Sequence, residues 1–491
     1  MHTNFAAGIW SSLAGIDGVR RDGGSVFLRS EPSFDPRVES GSGARLLNRP
    51  RPIDALIEAR WLIPVEPLGV TLENAAIAVH EGRILEVLPQ ETARTRYAPR
   101  ARYERPRHAL LPGFVNAHTH AAMTLLRGLA DDLPLMRWLE DHIWPAERKW
   151  MSPSFVRDGT ELAIAEMLRG GTTCFNDMYF FPDVVARTAA EHGIRAVVGM
   201  IVVDFPTPWA ETTAEYFSKG LAVHDAYRDD PLVRTAFAPH APYSVADATL
   251  AKVRQLSDQL EVPIHMHVHE SADELATSLA QSGRRPLARL AELGLLTPAL
   301  LAVHATQLEP EEIEQLARHG VTVVHCPESN LKLASGWCPV ARLAQAGVNL
   351  ALGTDGAASN NDLDMLAEMR TAALIAKAVA GDPAVMTAAQ VLRIATLGGA
   401  HALGLGEEIG ALTPGRWADV IAIDLSALRT QPLFDPISQI VYAASSEQVS
   451  DVWVAGRHLV DGGRPSRLDL DDITARASAW QARMAPDFAR T

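Results

Sequence analysis

Two histidines one residue apart, His118 and His120, end the apolar segment LLPGFVNAHTH. If this segment is a strand, side chains at positions i and i+2 point to the same face, so both imidazoles can reach one site. Neutral imidazole is a ligand for zinc, iron, copper and nickel ions. The pair alone also fits two hydrogen-bonded core histidines, so residues elsewhere must decide between these interpretations.

Five later apolar segments also end in residues of the types that bind metals or transfer protons. These residues are His240, His267 with Glu270, His304, His325 and Asp355. A single buried polar residue is usually explained by a structural hydrogen bond. A set of such residues at the ends of successive strands instead predicts a catalytic centre, because parallel barrels place their active sites there.

A metal site can be assembled from His118, His120, one histidine of the segment HMHVHE and Asp355. Zinc and ferrous iron both accept these ligand types and leave room for water. Spacing alone does not choose among His265, His267 and His269, although we expect His265 to lie deeper, in the core. The spacing from His267 to Glu270 lets a ligand and a carboxyl group share a pocket.

Such a centre predicts metal-assisted hydrolysis, because a bound metal lowers the pKa of water from ~15.7 towards ~7. Some metal barrels bridge two ions with a carbamylated lysine at the end of the fourth strand. Here that position is His240. The sequence therefore favours a single metal ion.

The elements that must position these residues are eight apolar strands alternating with helical segments, the first strand spanning residues 109–116. This count predicts an α/β fold of the TIM, or (β/α)8, barrel type. A doubly wound open sheet is the alternative, but no Gly-x-Gly-x-x-Gly follows a strand.

Strand-like segments around residues 52–89 and 417–463 flank the barrel, with hairpin turns at HEGR and at Ala455 to Arg457. We predict that they form one small β-sandwich domain, built from residues 51–110 and 411–465. The barrel then spans residues 111–410. We predict an N-terminal extension at residues 1–50 and a helical tail at residues 466–491.

The formal net charge of −14 opposes phosphate binding and argues against a nucleic-acid partner. Apolar runs are too short for a membrane helix, and the N-terminus has no signal-peptide pattern. The three cysteines, Cys174, Cys326 and Cys338, are too widely spaced for a disulfide framework or a Cys-x-x-Cys site. We expect a cytoplasmic homo-oligomer that acts on a small molecule.

Five motifs together resemble the amidohydrolase superfamily, in particular its cytosine deaminase and chlorohydrolase branch. They are PGFVNAHTH, the His-x-x-Glu at His267, VHAT at His304, HCPESN and GTDGAASNN. The resemblance covers residues 52–463. The segment THAAMTLLRGLADDLPLMRWLEDHIWPAE is similar to that of the deaminases acting on 5-methylthioadenosine and S-adenosylhomocysteine.

The resemblance implies hydrolytic deamination of an adenine nucleoside by an enzyme with one divalent metal, zinc or else iron. It implies metal ligation by His118, His120, His267 and Asp355. It assigns proton transfer to Glu270, His304 and Asp355, with Glu270 also contacting the base. Ribose binding falls to Trp138 and Glu147, and a further nucleoside contact to His240.

Several alternatives stay open at this stage. Guanine, pterin and s-triazine hydrolases share the same ligand pattern, and Trp138 and Glu147 also fit a core aromatic and a surface acid. His325 and Ser359 fit structural hydrogen bonding, and His240 fits either substrate contact or support of another residue. The segment after the third strand lacks the arginines that relatives use for the homocysteine tail. A non-catalytic scaffold is the remaining alternative.

Overall fold

The computed structural model describes residues 26–28 and 49–488. The predicted extension at residues 1–50 therefore lies outside the described residues, apart from residues 26–28 and 49–50. None of the helices in the described part of the chain is long and apolar enough to span a bilayer.

A small mixed sheet is formed by segments from both ends of the described chain. Its first strands are β1 (Val26–Leu28), β2 (Arg51–Leu62), β3 (Val70–His80), β4 (Arg83–Pro89) and β5 (Tyr97–Pro112). The eight parallel strands that follow form the second sheet. They are β6 (Phe114–Thr119), β7 (Thr172–Asp177), β8 (Arg195–Val202), β9 (Val233–Pro239), β10 (Ile264–Val268), β11 (Leu300–His304), β12 (Thr322–His325) and β13 (Leu350–Leu352).

The chain then returns to the small sheet. The returning strands are β14 (Val420–Asp424), β15 (Val449–Val454), β16 (Arg457–Asp461) and β17 (Arg464–Pro465). Strand β14 pairs antiparallel with β5 through five residue pairs, from Val420 opposite Pro112 to Asp424 opposite His108. Both predicted hairpins are present, because β3 pairs antiparallel with β4 and β15 with β16. The limits of the two units stay predictions, since strand pairing defines sheets and not independently folding units.

The helices follow the alternation expected of a barrel. The N-terminal set is α1 (Gln90–Arg96), α2 (Leu135–Trp138), α3 (Trp144–Trp150), α4 (Pro153–Arg169), α5 (Pro182–His192), α6 (Thr213–Tyr227), α7 (Asp247–Leu260), α8 (Ala272–Ser282) and α9 (Pro286–Glu292). The C-terminal set is α10 (Pro310–His319), α11 (Pro327–Lys332), α12 (Val340–Gln345), α13 (Met365–Ala380), α14 (Ala388–Arg393), α15 (Gly399–Ala402), α16 (Pro436–Tyr442) and α17 (Leu470–Met484).

The barrel closes between its first and last strands. The backbone N–H of Asp355 donates to the carbonyl of His118 at 3.0 Å, and that of Thr354 donates to the side chain of Asn116 at 3.0 Å. These bonds bring two predicted metal ligands from opposite ends of the barrel sequence together. The predicted (β/α)8 barrel with a small β domain is confirmed.

The boundary of the first barrel strand differs from the prediction. Residues 109–112 belong to β5 of the small sheet, and the barrel begins only at Phe114. A continuous apolar run hides this change, because the segment is buried in both sheets. Gly113 separates the two strands at a position where a Cβ atom would lie 2.1 Å from the Thr173 hydroxyl. Only glycine allows the two chains to approach this closely.

Candidate metal centre and active site

The four predicted metal ligands converge at the carboxyl ends of β6, β10 and β13. The Nε2 atoms of His118 and His120 each lie 3.2 Å from Oδ1 of Asp355. The Nε2 atom of His267 lies 3.3 Å from that of His118. Residues separated by more than 200 positions in the sequence thus present their ligand atoms to one point.

The opposite nitrogen of each imidazole is fixed by a further contact. Nδ1 of His120 lies 2.5 Å from the carbonyl of Met178, and Nδ1 of His267 lies 2.8 Å from the carbonyl of His240. A carbonyl only accepts, so Nδ1 carries a proton in both rings and Nε2 is the atom that faces the centre. Such outer contacts orient metal-binding histidines.

His118 is held in a different way, by another histidine. Its Nδ1 atom lies 2.8 Å from Nε2 of His265, which is fully buried. The sequence predicted His265 to lie in the core, and its burial agrees with this. The support that His265 gives to His118 was missed, although alternation along HMHVHE places both His265 and His267 on the barrel interior.

The carboxylate of Asp355 is held by hydroxyl groups from two loops. Ser329 and Ser359 donate to its Oδ2 atom at 2.6 and 2.7 Å, and the N–H of Gly356 donates to Oδ1 at 2.8 Å. The backbone of Asp355 is left-handed, with φ of 61°, a strained conformation found often at functional sites. Of the three residues that donate to this carboxylate, the sequence had singled out only Ser359, as a candidate for structural hydrogen bonding.

The protonation of this group fits a divalent cation. Burial lowers the pKa of His118 to about 4 and that of His267 well below its usual range, which keeps both rings neutral. Burial opposes ionisation of Asp355, but hydrogen bonds from His118 and His120 hold its pKa well below the usual range. The three imidazoles and the Asp355 carboxylate form a set that zinc and ferrous iron accept.

His120 differs because of its contact with the carboxylate. Burial lowers its pKa, but the hydrogen bond and charge of Asp355 outweigh burial and raise it to about 9. The Asp355 carboxylate therefore attracts a positive charge to the Nε2 position of His120. A divalent cation competes with a proton for that position, as metal binding generally does.

Glu270 and His304 face the same cavity beside this centre. Oε1 of Glu270 lies 3.8 Å from Nε2 of His304, whose Nδ1 is fixed by the Asn330 side chain at 2.9 Å. Burial raises the pKa of Glu270 above its usual range. This shift favours the protonated form of the carboxyl group, which can donate a hydrogen bond.

The cavity has a volume of about 1240 Å³, which is large enough for a nucleoside with a substituent on its sugar. Trp138 and Glu147 form part of its wall, separated by a π-helical turn at Leu139–Ile143. The Trp138 indole donates to the carbonyl of Ala130 at 3.2 Å. Burial raises the pKa of Glu147 to about 7, although the Tyr179 hydroxyl opposes this shift.

His240 also lies on the cavity wall, whereas His325 is not among the residues that line it. Nδ1 of His240 lies 3.0 Å from the Ser244 hydroxyl, and burial lowers the pKa of His240 to about 3. The His240 ring is therefore neutral. His325 is buried and makes no side-chain hydrogen bond within the described part of the chain.

Arginines reach this cavity from elements that the sequence did not indicate. Arg148 of α3, Arg284 and Arg289 line it, although the segment after β8 contains none. Arg289 is already bound to the carbonyls of Pro242 and Val245. The position of these arginines depends on how the helices pack, which strand order alone does not predict.

Comparison with known proteins identifies the family of this chain. The profile of the amidohydrolase family matches residues 109–459. A protein of Teredinibacter turnerae named 5-methylthioadenosine/S-adenosylhomocysteine deaminase is 48% identical over 88% of this chain and 98% of its own. A protein of the same name from Saccharophagus degradans is 46% identical over 88% and 97%.

Solved structures give the same result. An adenosine deaminase from Xanthomonas campestris with bound zinc matches with a TM-score of 0.88 and 56% identity, covering 89% of this chain and all of its own. Atrazine chlorohydrolase TrzN from Arthrobacter aurescens, in complex with zinc, matches with a TM-score of 0.81 and 25% identity, covering 87% and 99%. The protein described here belongs to the amidohydrolase family.

Proposed function

We propose that this protein is a metal-dependent hydrolase that removes the exocyclic amine from the adenine ring of a nucleoside. The products are the inosine analogue and ammonia. The observation that carries this proposal is the convergence of His118, His120, His267 and Asp355 beside Glu270, in a cavity large enough for a nucleoside. The names of the curated relatives and the zinc-containing adenosine deaminase support it.

The ligand set supports binding of one divalent cation by His118, His120, His267 and Asp355, with zinc as our proposal. Iron accepts the same ligands, but the similar Xanthomonas protein contains zinc. When bound, such a cation lowers the pKa of a water molecule enough for attack at neutral pH. The side chains around it supply the remaining steps.

Glu270 acts first, as a general acid that protonates the adenine ring. Its protonated carboxyl donates to N1 of adenine and makes C6 more electrophilic. His304 and Asp355 orient the attacking water and accept its proton. One proton of the water passes through them to the amine as the C6–N bond breaks. The second proton returns to Glu270, whose own proton stays on N1, so that one water is consumed and one ammonia released.

The wall residues select the substrate. We propose that Trp138 packs on the nucleoside, that Glu147 accepts hydrogen bonds from the ribose, and that the neutral His240 contacts the base or sugar. The size of the cavity supports 5'-methylthioadenosine, S-adenosylhomocysteine and adenosine as candidate substrates. The arginines on the cavity wall could bind the charged homocysteine tail, so S-adenosylhomocysteine remains a candidate substrate.

We further propose that the protein acts in the cytoplasm as a homo-oligomer without a nucleic-acid partner. Three buried cysteines without a disulfide support a reducing compartment. Leu428 and Phe434 are 92% and 81% exposed, which supports an apolar contact between subunits. Light scattering on the purified protein tests the oligomer, and a monomer at working concentration would reject it.

A substrate panel tests the activity. The purified protein is incubated with 5'-methylthioadenosine, S-adenosylhomocysteine and adenosine, with guanine and an s-triazine as comparison compounds. Ammonia, the purine product and the metal content are measured on the same sample. We expect ammonia and the inosine analogue in equal amounts from at least one nucleoside. Failure to release ammonia from any nucleoside would reject the proposal.

A further inference from the structure

Tyr179 has a feature that none of the proposed roles uses. It lies two residues after β7 and lines the same cavity as Glu147 and Glu270. The residue is only 3% exposed, and its buried hydroxyl makes no hydrogen bond of ordinary geometry among the described residues, although it lies close enough to Glu147 to lower the pKa of that carboxyl group. Buried tyrosine hydroxyls normally have a partner, so this one lacks a group that a bound ligand can supply.

The position of the phenol ring is well defined. Its ring centroid lies 5.6 Å from that of Phe180 in an edge-on contact and 6.5 Å from that of His120. The neighbouring Met178 is fixed by its carbonyl contact with His120. Tyr179 is therefore held between the metal centre and the wall that carries Glu147.

The hydroxyl is a hydrogen-bond donor under ordinary conditions. Burial and the nearby charge of Glu147 keep the pKa of Tyr179 well above its usual range, so the phenol stays protonated. A carboxylate accepts hydrogen bonds, whereas a protonated phenol donates them. A donor and an acceptor placed side by side match a ligand hydroxyl, which can do both.

We propose that Tyr179 is a substrate-binding residue that recognises the ribose together with Glu147. Its hydroxyl donates to the oxygen of a ribose hydroxyl, whose own hydrogen is accepted by the Glu147 carboxylate. This inference rests on the proposed nucleoside deaminase function and extends it by a second ribose contact. It makes the site selective for ribonucleosides, because a deoxynucleoside without the contacted hydroxyl accepts no hydrogen bond from Tyr179 and donates none to Glu147.

The test compares the wild type with Tyr179→Phe on adenosine, 2'-deoxyadenosine and 3'-deoxyadenosine. Loss of the phenol hydroxyl should raise KM for adenosine by about tenfold, in line with one hydrogen bond to a ligand, and change kcat by less than about twofold. For the deoxynucleoside that lacks the contacted hydroxyl, KM should be the same in both proteins. Tyr103→Phe, in the small sheet, is the matched control and should leave all three KM values unchanged.

Metal content and melting temperature separate binding from a structural role. Both should be unchanged in Tyr179→Phe, because the hydroxyl makes no hydrogen bond of ordinary geometry with another described residue. An equal rise in KM for all three nucleosides, an unchanged KM for adenosine, or loss of metal would overturn the inference. If the variant does not fold, the wild type alone must favour adenosine over one deoxynucleoside by at least about fivefold in kcat/KM. Equal use of all three rejects the Tyr179 inference alone, whereas no turnover of any nucleoside rejects the proposed function as well.

Discussion

The metal centre and the substrate wall of this cavity are built differently. In the centre, the imidazoles of His118, His120 and His267 and the carboxylate of Asp355 each have a second contact that fixes their orientation. On the wall, Trp138 and Glu147 come from short helices on either side of a π-helical turn, and the Tyr179 hydroxyl makes no hydrogen bond of ordinary geometry among the described residues. The side chains of the centre are thus oriented in advance, whereas we propose that a bound substrate completes the wall.

The largest expected effect comes from removing a charge from the centre. Asp355→Asn keeps the shape of the side chain but loses the negative charge that lies beside the three imidazoles. We expect activity to fall by about a thousandfold or more, as when one member of a catalytic unit is lost. Metal content and ammonia release are measured on the same preparation. Asp382→Asn, at an exposed position, is the control, and full activity of Asp355→Asn would contradict this account of the centre.

The next largest effect should separate chemistry from metal binding. Glu270→Gln removes the general acid that we propose for protonation of the adenine ring, and kcat should fall about 10²- to 10⁴-fold. Metal content should stay at the wild-type level, because Glu270 is not among the proposed ligands. In the wild type, kcat should fall as the pH rises above the raised pKa of Glu270, since the protonated form is the active one. Loss of metal from Glu270→Gln would show that the division of roles is wrong.

The sequence predicts the metal centre better than it predicts the substrate wall. The strand-end residues were predictable, because apolar strands ending in histidine or aspartate recur in order and a barrel brings such ends together. The contacts of His265 and Ser329 were not, because they depend on side-chain directions across strands that are distant in sequence. The first strand was misplaced because the apolar run around Gly113 crosses from one sheet into the other without a polar break.

The wall was harder to predict for a physical reason. Trp138 and Glu147 were found through family resemblance, since a segment of short helices has no periodicity that fixes its orientation. Tyr179 was missed, although the polar and aromatic sequence NDMY at the end of the second barrel strand is a signal that points to the cavity. Arg148 and Arg284 reach the cavity through helix packing, which a strand-based interpretation does not include.

A smaller effect tests whether the second contacts of the centre matter. Ser359→Ala removes one of two hydroxyls that donate to Oδ2 of Asp355, while Ser329 keeps the other. Metal affinity should fall by about tenfold, at the lower end of losses for such outer contacts. It is measured by competition with a chelator. With saturating metal, KM for the nucleoside should match the wild type. A changed KM with unchanged metal affinity would show that Ser359 acts on the substrate wall and not on the metal centre.

The smallest effect is expected on the wall and depends on pH. Burial raises the pKa of Glu147 to about 7, so its ionised form, which accepts hydrogen bonds more strongly, is lost as the pH falls through this value. KM for the ribonucleoside should therefore increase below about pH 7, by severalfold for a weakened hydrogen bond. Glu147→Gln should have a higher KM that no longer varies over this range. A wild-type KM that is constant from pH 8 to 6 would remove Glu147 from the ribose site.

The most direct test of the account is a metal titration. Protein freed of metal with a chelator is supplied with increasing zinc, and ammonia release from the preferred nucleoside is measured at each step. The convergence of His118, His120, His267 and Asp355 on one point predicts a linear rise in activity that ends at one zinc per chain. Activity without zinc, or a requirement for two zinc ions per chain, would contradict the proposed single-metal centre.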